Sequence, residues 1–414
     1  MHSSQLYASL QPVWHAIIPP ADQRIPITFG TALQPLLCYL PFLYLCYLAR
    51  RQNTFLARVL LLPIVVLPIV ASAYRYTWTH PALHVYNWGQ GSLAILTIAR
   101  ALDIALTPQG ILKYGETLPG ISKGKRSSKA NGHHPDAFTD GTDDNAAPRS
   151  GIVAGLADAL DLAHTYRGLS YKFSQGAYVP PHTRPLTSKS AFLAATLRSL
   201  AINYLVLDII ESIIKILPNG IGTVHGGSMF LPPTLIATPW ARYAVSTFVH
   251  LLTGSALMAG FQMVYELIVL IAVGLFNSPP ASWPPLMDSP FTADSMHSFW
   301  GRRWHQLLRR PLVVLGGIPA SWIAGDIGLL CGTFLASGAF HEGAMTAMDR
   351  GVDLKGFLFF AIQGPILILE RLWRQVTGRR VHGWLGRLWV YTVIFILGQP
   401  LSKIMIFLPM RHIN

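Results

Sequence analysis

FLARVLLLPIVVLPIVASAY, residues 55–74, carries a single charge, Arg58, near its start and none after it. At ~1.5 Å per residue such a run makes a helix of ~30 Å, the thickness of a bilayer's hydrocarbon core. A surface helix of that length would show a polar stripe, and this one has none. Similar apolar stretches, each crossing or nearly crossing a membrane, fall at 27–49, 83–107, 191–217, 243–276, 311–324, 327–346, 356–372 and 386–409. The chain therefore reads as all-α, a polytopic transmembrane helical bundle of about 8–9 membrane segments. Composition agrees: 51% of the 414 residues are hydrophobic and 12% are charged, too little charge to cover a soluble surface.

The fifth segment is too long for one straight span, and its buried Glu266 calls for an explanation. The sixth is short and meets the seventh through Ala324-Gly325-Asp326-Ile327-Gly328, which suits a hairpin that does not fully cross. Residues 119–150 are different in kind: polar, Gly- and Ser-rich, with Lys123 to Arg126 basic and Asp140 to Asn145 acidic. They are expected to be a disordered cytosolic insert. After it, Leu156, Leu160, Leu162 and Ala163 give an amphipathic helix suited to a membrane surface. One membrane domain is expected over residues 1–414.

The formal charge of +13 sits mainly in the connections between apolar runs. That placement points to cytosolic loops, anionic lipid headgroups or an anionic substrate, and argues against nucleic acid. Arg50, Arg51 and Arg58 put the first connection in the cytosol, and Arg302, Arg303, Arg309 and Arg310 do the same for the stretch before the sixth segment. The connection at 371–387, with five arginines, returns to that side only if one crossing among 311–346 is incomplete. Cys38, Cys46 and Cys331 lie in apolar runs without zinc-like spacing, so no metal or disulfide framework is expected. Residues 1–24 lack a charged start followed by an apolar core, and the first spanning helix is expected to act as the targeting signal.

Chemistry concentrates in residues 280–345. His341 lies in an apolar run, where an ionisable group reads as functional by default. On a helix Ser337 shares its face, and Gly338 removes bulk beside the imidazole. Desolvation would hold the ring neutral, with a nitrogen able to accept a proton. A packed histidine bonded to a carbonyl between helices is the competing reading. Residues 299–305 (FWGRRWH) set Trp300, Trp304 and His305 among Arg302 and Arg303. This is either an interfacial anchor or a segment whose arginines meet phosphate while His305 points inward. His341-Glu342-Gly343-Ala344-Met345 lacks the second histidine of a zinc-protease helix, His133-His134 sits in the insert, and there is no Gly-x-Ser-x-Gly elbow, P-loop or dinucleotide fingerprint.

Together the two motifs resemble the wax synthase-like branch of the membrane-bound O-acyltransferase family. That family shows Phe-Trp-Gly-Arg-Arg-Trp-(Asn or His), then an intramembrane Ser-Gly-x-x-His roughly thirty-five residues on. Trp283-Pro284-Pro285-Leu286 and the late Trp384 and Trp389 add to the likeness. The resemblance implies a multi-pass enzyme of the endoplasmic reticulum membrane, with acetyl-CoA or another acyl-CoA as co-substrate, a lipophilic alcohol as acceptor and no bound cofactor. It makes His341 the catalytic histidine and His305 the second polar position, where many relatives carry Asn. Substrate or coenzyme A contacts are expected from Arg302, Arg303, Trp300, Trp304, Ser337 and Gly338. Relatives of this size and layout suggest acetylation of a terpenoid or meroterpenoid alcohol in secondary metabolite biosynthesis. Long-chain wax ester synthesis is the alternative acceptor chemistry. A membrane transporter, for which Glu266, Asp208 and Glu211 speak, is the rival of another class, although no repeated halves are visible. Oligomeric state is not legible.

Overall fold

The computed structural model describes residues 18–80, 83–122, 151–217, 231, 233–348 and 354–399. About 70% of it is helical, with nearly no strand. Among the described residues six helices are long and apolar enough to cross a membrane, and two shorter apolar ones accompany them. The chain forms two compact units, each assembled from separated stretches of sequence.

The first unit takes Met1–Pro135, Asp143–Gly176 and Leu307–Gly364. It contains α1 (Leu33–Ala49), α2 (Phe55–Tyr74) and α3 (Val85–Leu106), with a parallel bridge between β1 (Ile25–Pro26) and β2 (Tyr76–Thr77). An antiparallel hairpin, β3 (Glu116–Leu118) with β4 (Ile121–Ser122), precedes α4 (Ile152–His164). Small side chains such as Ala49, Ala73, Ala101 and Ala159 fill much of the core, which lets helix backbones approach closely where lipid offers no hydrophobic drive. Buried Arg58 donates to the carbonyls of Ile104, Thr107 and Pro108 at the end of α3. It thereby satisfies the carbonyls a helix C-terminus leaves open and places a positive charge at the negative end of the helix dipole.

Arg50 is the centre of a polar clamp. Its guanidinium donates to both Glu116 oxygens, at 2.7 and 2.6 Å, to Asp158 at 2.6 Å and to the Ile111 carbonyl at 2.7 Å. Lys113 adds ion pairs to Asp158 (3.1 Å) and Asp161 (2.7 Å), and the Tyr171 hydroxyl donates to Asp161. One guanidinium thus ties together the end of α1, the β3–β4 hairpin and α4. Residues 119–122, expected to belong to a disordered insert, instead close that hairpin, because Glu116 also accepts from the Lys113 and Gly120 amides. The rest of the insert lies outside the described residues. The helix expected after it is present, with Leu162 of its expected apolar face turned to the core. Gly155, Ala159 and Leu162 pack inward, while Leu156 and Leu160 are exposed beside Ile152 and Val153.

Residues 309–347 form a helical hairpin, α7 (309–323) and α8 (326–347), broken at Ala324 (φ −133°, ψ 23°) and Gly325 (φ 54°, ψ −137°). Only glycine adopts the second conformation without strain. The limbs then lie backbone to backbone. A Cβ on Gly332 would overlap the Gly316 carbonyl oxygen, and one on Gly328 would overlap that of Ala320. Facing residues are therefore symmetric about residue 324. With about 15 residues and ~22 Å, α7 is shorter than the hydrocarbon core, whereas α8 reaches ~33 Å. A limb of this length is compatible with the incomplete crossing expected among 311–346. α9 (Leu354–Ala361) runs back along α8, with Gly338 against Phe357 and Gly364 against Cys331.

The second unit takes Asp136–Thr142, Ala177–Gln306 and Pro365–Asn414. α5 (Lys189–Ile216) starts at Ser188, whose Oγ accepts from the Ala191 amide, a standard N-cap. It packs against α6 (Pro239–Gly274), whose 36 residues extend ~54 Å and must tilt or leave the membrane. Glu266 is buried in α6 and fully engaged. It accepts from Arg184 (2.6 Å), Ser199 (3.0 Å) and Gln262 (2.6 Å). Arg184 also donates to Thr196 and to the Trp283 carbonyl. α10 (Gln363–Thr377) enters this unit at Pro365, and α11 (Gly383–Thr392) follows.

Two measurements test this architecture. Gly332→Leu should abolish recovery of folded protein, whereas Gly301→Ala, whose Cβ would meet open space, should not; size-exclusion profiles in detergent report both. Burial opposes charge on Glu116 and Asp158, but hydrogen bonds from Arg50 outweigh it, and both carboxyls lie below their ordinary range. A depressed folded-state pKa contributes stability above the unfolded value near pH 4, lost as pH falls through the folded value. The melting temperature should therefore hold from pH 7 to about pH 5 and drop below about pH 4. Glu116→Ala should remove about 3–5 kcal/mol at neutral pH by leaving Arg50 short of its partner.

Candidate active site

The first motif begins where the chain reaches Ser295. Its Oγ accepts from the Ser298 amide at 3.0 Å, and the Glu370 carboxylate accepts from the Met296 amide (2.7 Å) and the His297 amide (2.9 Å). A charged acceptor at the open N–H groups of a helix start satisfies them better than a neutral one. Trp389 Nε1 donates to the same carboxylate at 2.9 Å, and Glu370 is buried. A Cβ on Gly386 would overlap the Asp294 carbonyl oxygen, and the Tyr391 hydroxyl donates to the Phe291 carbonyl. The α10–α11 pair is therefore fastened along residues 291–297, on either side of the arginine-rich connection.

From this cap the chain makes a π-turn, Phe299–Arg303, closed by the Trp304 amide donating to the Phe299 carbonyl at 2.8 Å. The extra residue of a π-turn frees carbonyls, and buried Gln306 donates to those of Trp300 and Trp304. The aromatic rings pack on one another: Phe299 on Trp304 at 5.5 Å, Trp300 edge-on to Phe299 at 4.9 Å, and Trp304 on His305 at 5.1 Å. Phe261 of α6 meets the His305 ring edge-on at 5.8 Å. The two arginines have different settings. Arg303 donates to the Asp288 carbonyl and lies 4.0 Å from its carboxylate, tying the motif to the loop after Trp283. Arg302 is exposed, its guanidinium 5.9 Å from the centre of the Tyr178 ring. The Tyr178 hydroxyl donates to Asp288, and this bond, followed by burial, raises its pKa.

The second motif belongs to the first unit. Ser337, Gly338 and His341 share a face of α8, as their spacing predicts. The His341 ring lies flat on Phe360 of α9, centroids 4.2 Å apart and planes within 4°, with Phe340 edge-on at 5.1 Å. Its Nδ1 is closed off from solvent. Gly338 brings Phe357 against the helix: a Cβ would stand 2.8 Å from its ring. On the far side Gly91 of α3 meets Ala344 and Ala347, Ile95 meets Gly343, and the Tyr74 hydroxyl donates to the Gly343 carbonyl. The hairpin register sets the depth of His341. Leu308 and Leu312 cluster with Ala336 and Phe340, so the next residue lies level with the mouth of the hairpin and far from the tip at Gly325. Arg310 is already paired with Asp103 of α3.

Among the described residues no three His, Cys, Asp or Glu side chains are grouped to hold a metal ion. Sequence reasoning missed Glu370, Asp288 and Arg184. A carboxylate inside the apolar segment 356–372 was the available signal for Glu370, by the same argument that singled out Glu266.

Residues 283–362, which contain both motifs, match the Membrane bound O-acyl transferase family. Among curated proteins, acetyltransferase aurG of Calcarisporium arbuscula is 24% identical over 345 residues, 75% of this chain and 77% of that protein. Acetyltransferase atnC of Arthrinium sp is 29% identical over 170 residues, covering 40% of this chain and 38% of its own. O-Mevalon transferase macI of Penicillium terrestre is 27% identical over 239 residues, 51% and 52% of the two chains. No solved structure matches. The match and the relatives together make this a multi-pass membrane acyltransferase whose segment 283–362 is similar to the membrane-bound O-acyltransferase family. Its named relatives are fungal acetyltransferases and O-mevalon transferases.

Glu370→Ala should lower activity at least tenfold and destabilise the fold by about 1–3 kcal/mol, since buried amides lose a charged acceptor. Glu370→Gln keeps an acceptor oxygen and should recover much of the stability. Transfer rate and melting temperature measured side by side on both variants check this.

Proposed function

We propose that the chain transfers acetyl from acetyl-CoA to a hydroxyl of a lipophilic terpenoid or meroterpenoid alcohol, with His341 as general base. The observation that carries the reading is the half-buried imidazole stacked on Phe360 within the matched segment. Packing against Phe360 and Phe340 restricts the ring, and a fixed base is worth more than a mobile one.

In this mechanism the acceptor hydroxyl loses its proton to His341 as its oxygen attacks the thioester carbonyl. A carbon–oxygen bond forms and the carbon–sulfur bond breaks. Coenzyme A leaves as thiolate and recovers the proton, giving the ester and free thiol. The depth of His341 near the hairpin mouth supports delivery of the polar donor from the arginine-bearing side, while the apolar acceptor enters from lipid. His305 is assigned to the second polar position, with Trp300 and Trp304 as substrate-facing neighbours in the second unit; in the first unit Ser337 is assigned to substrate, while Gly338 seats Phe357 of α9. Acetyl as the transferred group is supported by the names of the relatives aurG and atnC; macI, named for mevalon transfer, suggests that the acyl group varies within this set. The rival transporter reading loses its main feature, because Glu266 is held by Arg184, Ser199 and Gln262, and Glu211 pairs with Lys215 on an exposed face.

Membranes carrying His341→Ala should lose transfer of labelled acetyl by at least ~10²-fold relative to wild type at equal expression. His305→Asn, the residue many relatives carry, should keep more activity than His305→Ala. Undiminished transfer in His341→Ala would exclude it as the base.

A further inference from the structure

The connection between α10 and α11 is unusual in being both strongly basic and fastened to the first motif. Glu370 fastens one end through the Met296 and His297 amides, and Gly386 fastens the other against Asp294. Arg371 and Arg380 are thereby brought to the side of the motif that bears Arg302, and all three are exposed. Their common neighbour is His297. Burial, then the positive charges of Arg371, Arg302 and Arg380, keep its imidazole below its ordinary pKa, against the opposing charge of Glu370.

The other arginines around the two motifs show what is distinctive here. Arg303 lies against Asp288 and Arg310 pairs with Asp103. Among the described residues Arg302, Arg371 and Arg380 form no ion pair with a carboxylate, and the carboxylate beside His297, Glu370, is occupied by two amides and Trp389. Three like charges gathered around one imidazole repel one another, and a compact polyanion relieves that repulsion. Guanidinium groups match phosphate oxygens in planar, paired hydrogen bonds.

We propose that Arg371 and Arg380, with Arg302, form a phosphate-recognition surface that holds the 3′-phosphorylated nucleotide end of coenzyme A beside the first motif. The assignment rests on the acyl-CoA reading above and adds two residues that no motif marks. Anionic lipid headgroups offer the same phosphate chemistry, so the experiment is arranged to separate the two sources.

Purified protein in nanodiscs of neutral lipid is titrated with acetyl-CoA and with acetyl-3′-dephospho-CoA, reading both transfer rate and melting temperature. Wild type should favour the 3′-phosphorylated donor. The double variant Arg371→Gln/Arg380→Gln should raise KM for acetyl-CoA about tenfold or more, with a much smaller change in kcat, and bring the two donors close to parity. Arg371→Lys/Arg380→Lys, which keeps the charge and guards against a folding defect, should fall between. Retained discrimination in the Gln variant, or a KM change seen only when anionic lipid is added, would overturn the proposal. Wild type that neither transfers acetyl nor gains stability with acetyl-CoA would instead count against the acyltransferase mechanism itself.

Discussion

The close approach of two glycine-bearing helices governs the first unit. Gly316, Gly328 and Gly332 bring α7 and α8 to backbone contact, and Gly325 reverses the chain between them. Without a hydrophobic force between helices in lipid, contact area of this kind holds them together. The symmetry of the pairing then places every residue of α8 relative to the mouth of the hairpin. His341 owes its depth to that register, and its ring orientation to Phe360 and Phe340. An apolar run by itself would leave both undetermined.

The membrane class and the positions of the long helices were legible because spans announce themselves by length and lack of charge. The hairpin was legible from a short segment joined to the next through Gly325 and Gly328, together with a charge pattern that one missing crossing would repair. Two features were hidden. Residues 119–122 read as part of a polar insert, since nothing local says that Glu116 will gather the surrounding amides. The inward turn of Leu162 was also out of reach, because which stripe of α4 is buried depends on α1 and the Arg50 clamp.

Arginine plays several parts in this chain, and charge counting treats them alike. Arg50 and Arg58 serve in reading the topology, yet both are buried and make structural hydrogen bonds. Arg184 neutralises Glu266 inside the second unit, where an unpaired carboxylate would be costly. The partner of each guanidinium, more than its place in the chain, separates arginines that build the bundle from those left to meet a ligand.

The cap on the first motif has an evolutionary corollary. Glu370 reaches the Met296 and His297 main-chain amides, 74 and 73 residues away, and every residue except proline carries that donor. Side chains at 296 and 297 can drift without disturbing the bond, while the carboxylate cannot. Coupled substitution between these positions should therefore be faint even though the physical link is strong, and methods that infer contacts from correlated change would pass over it.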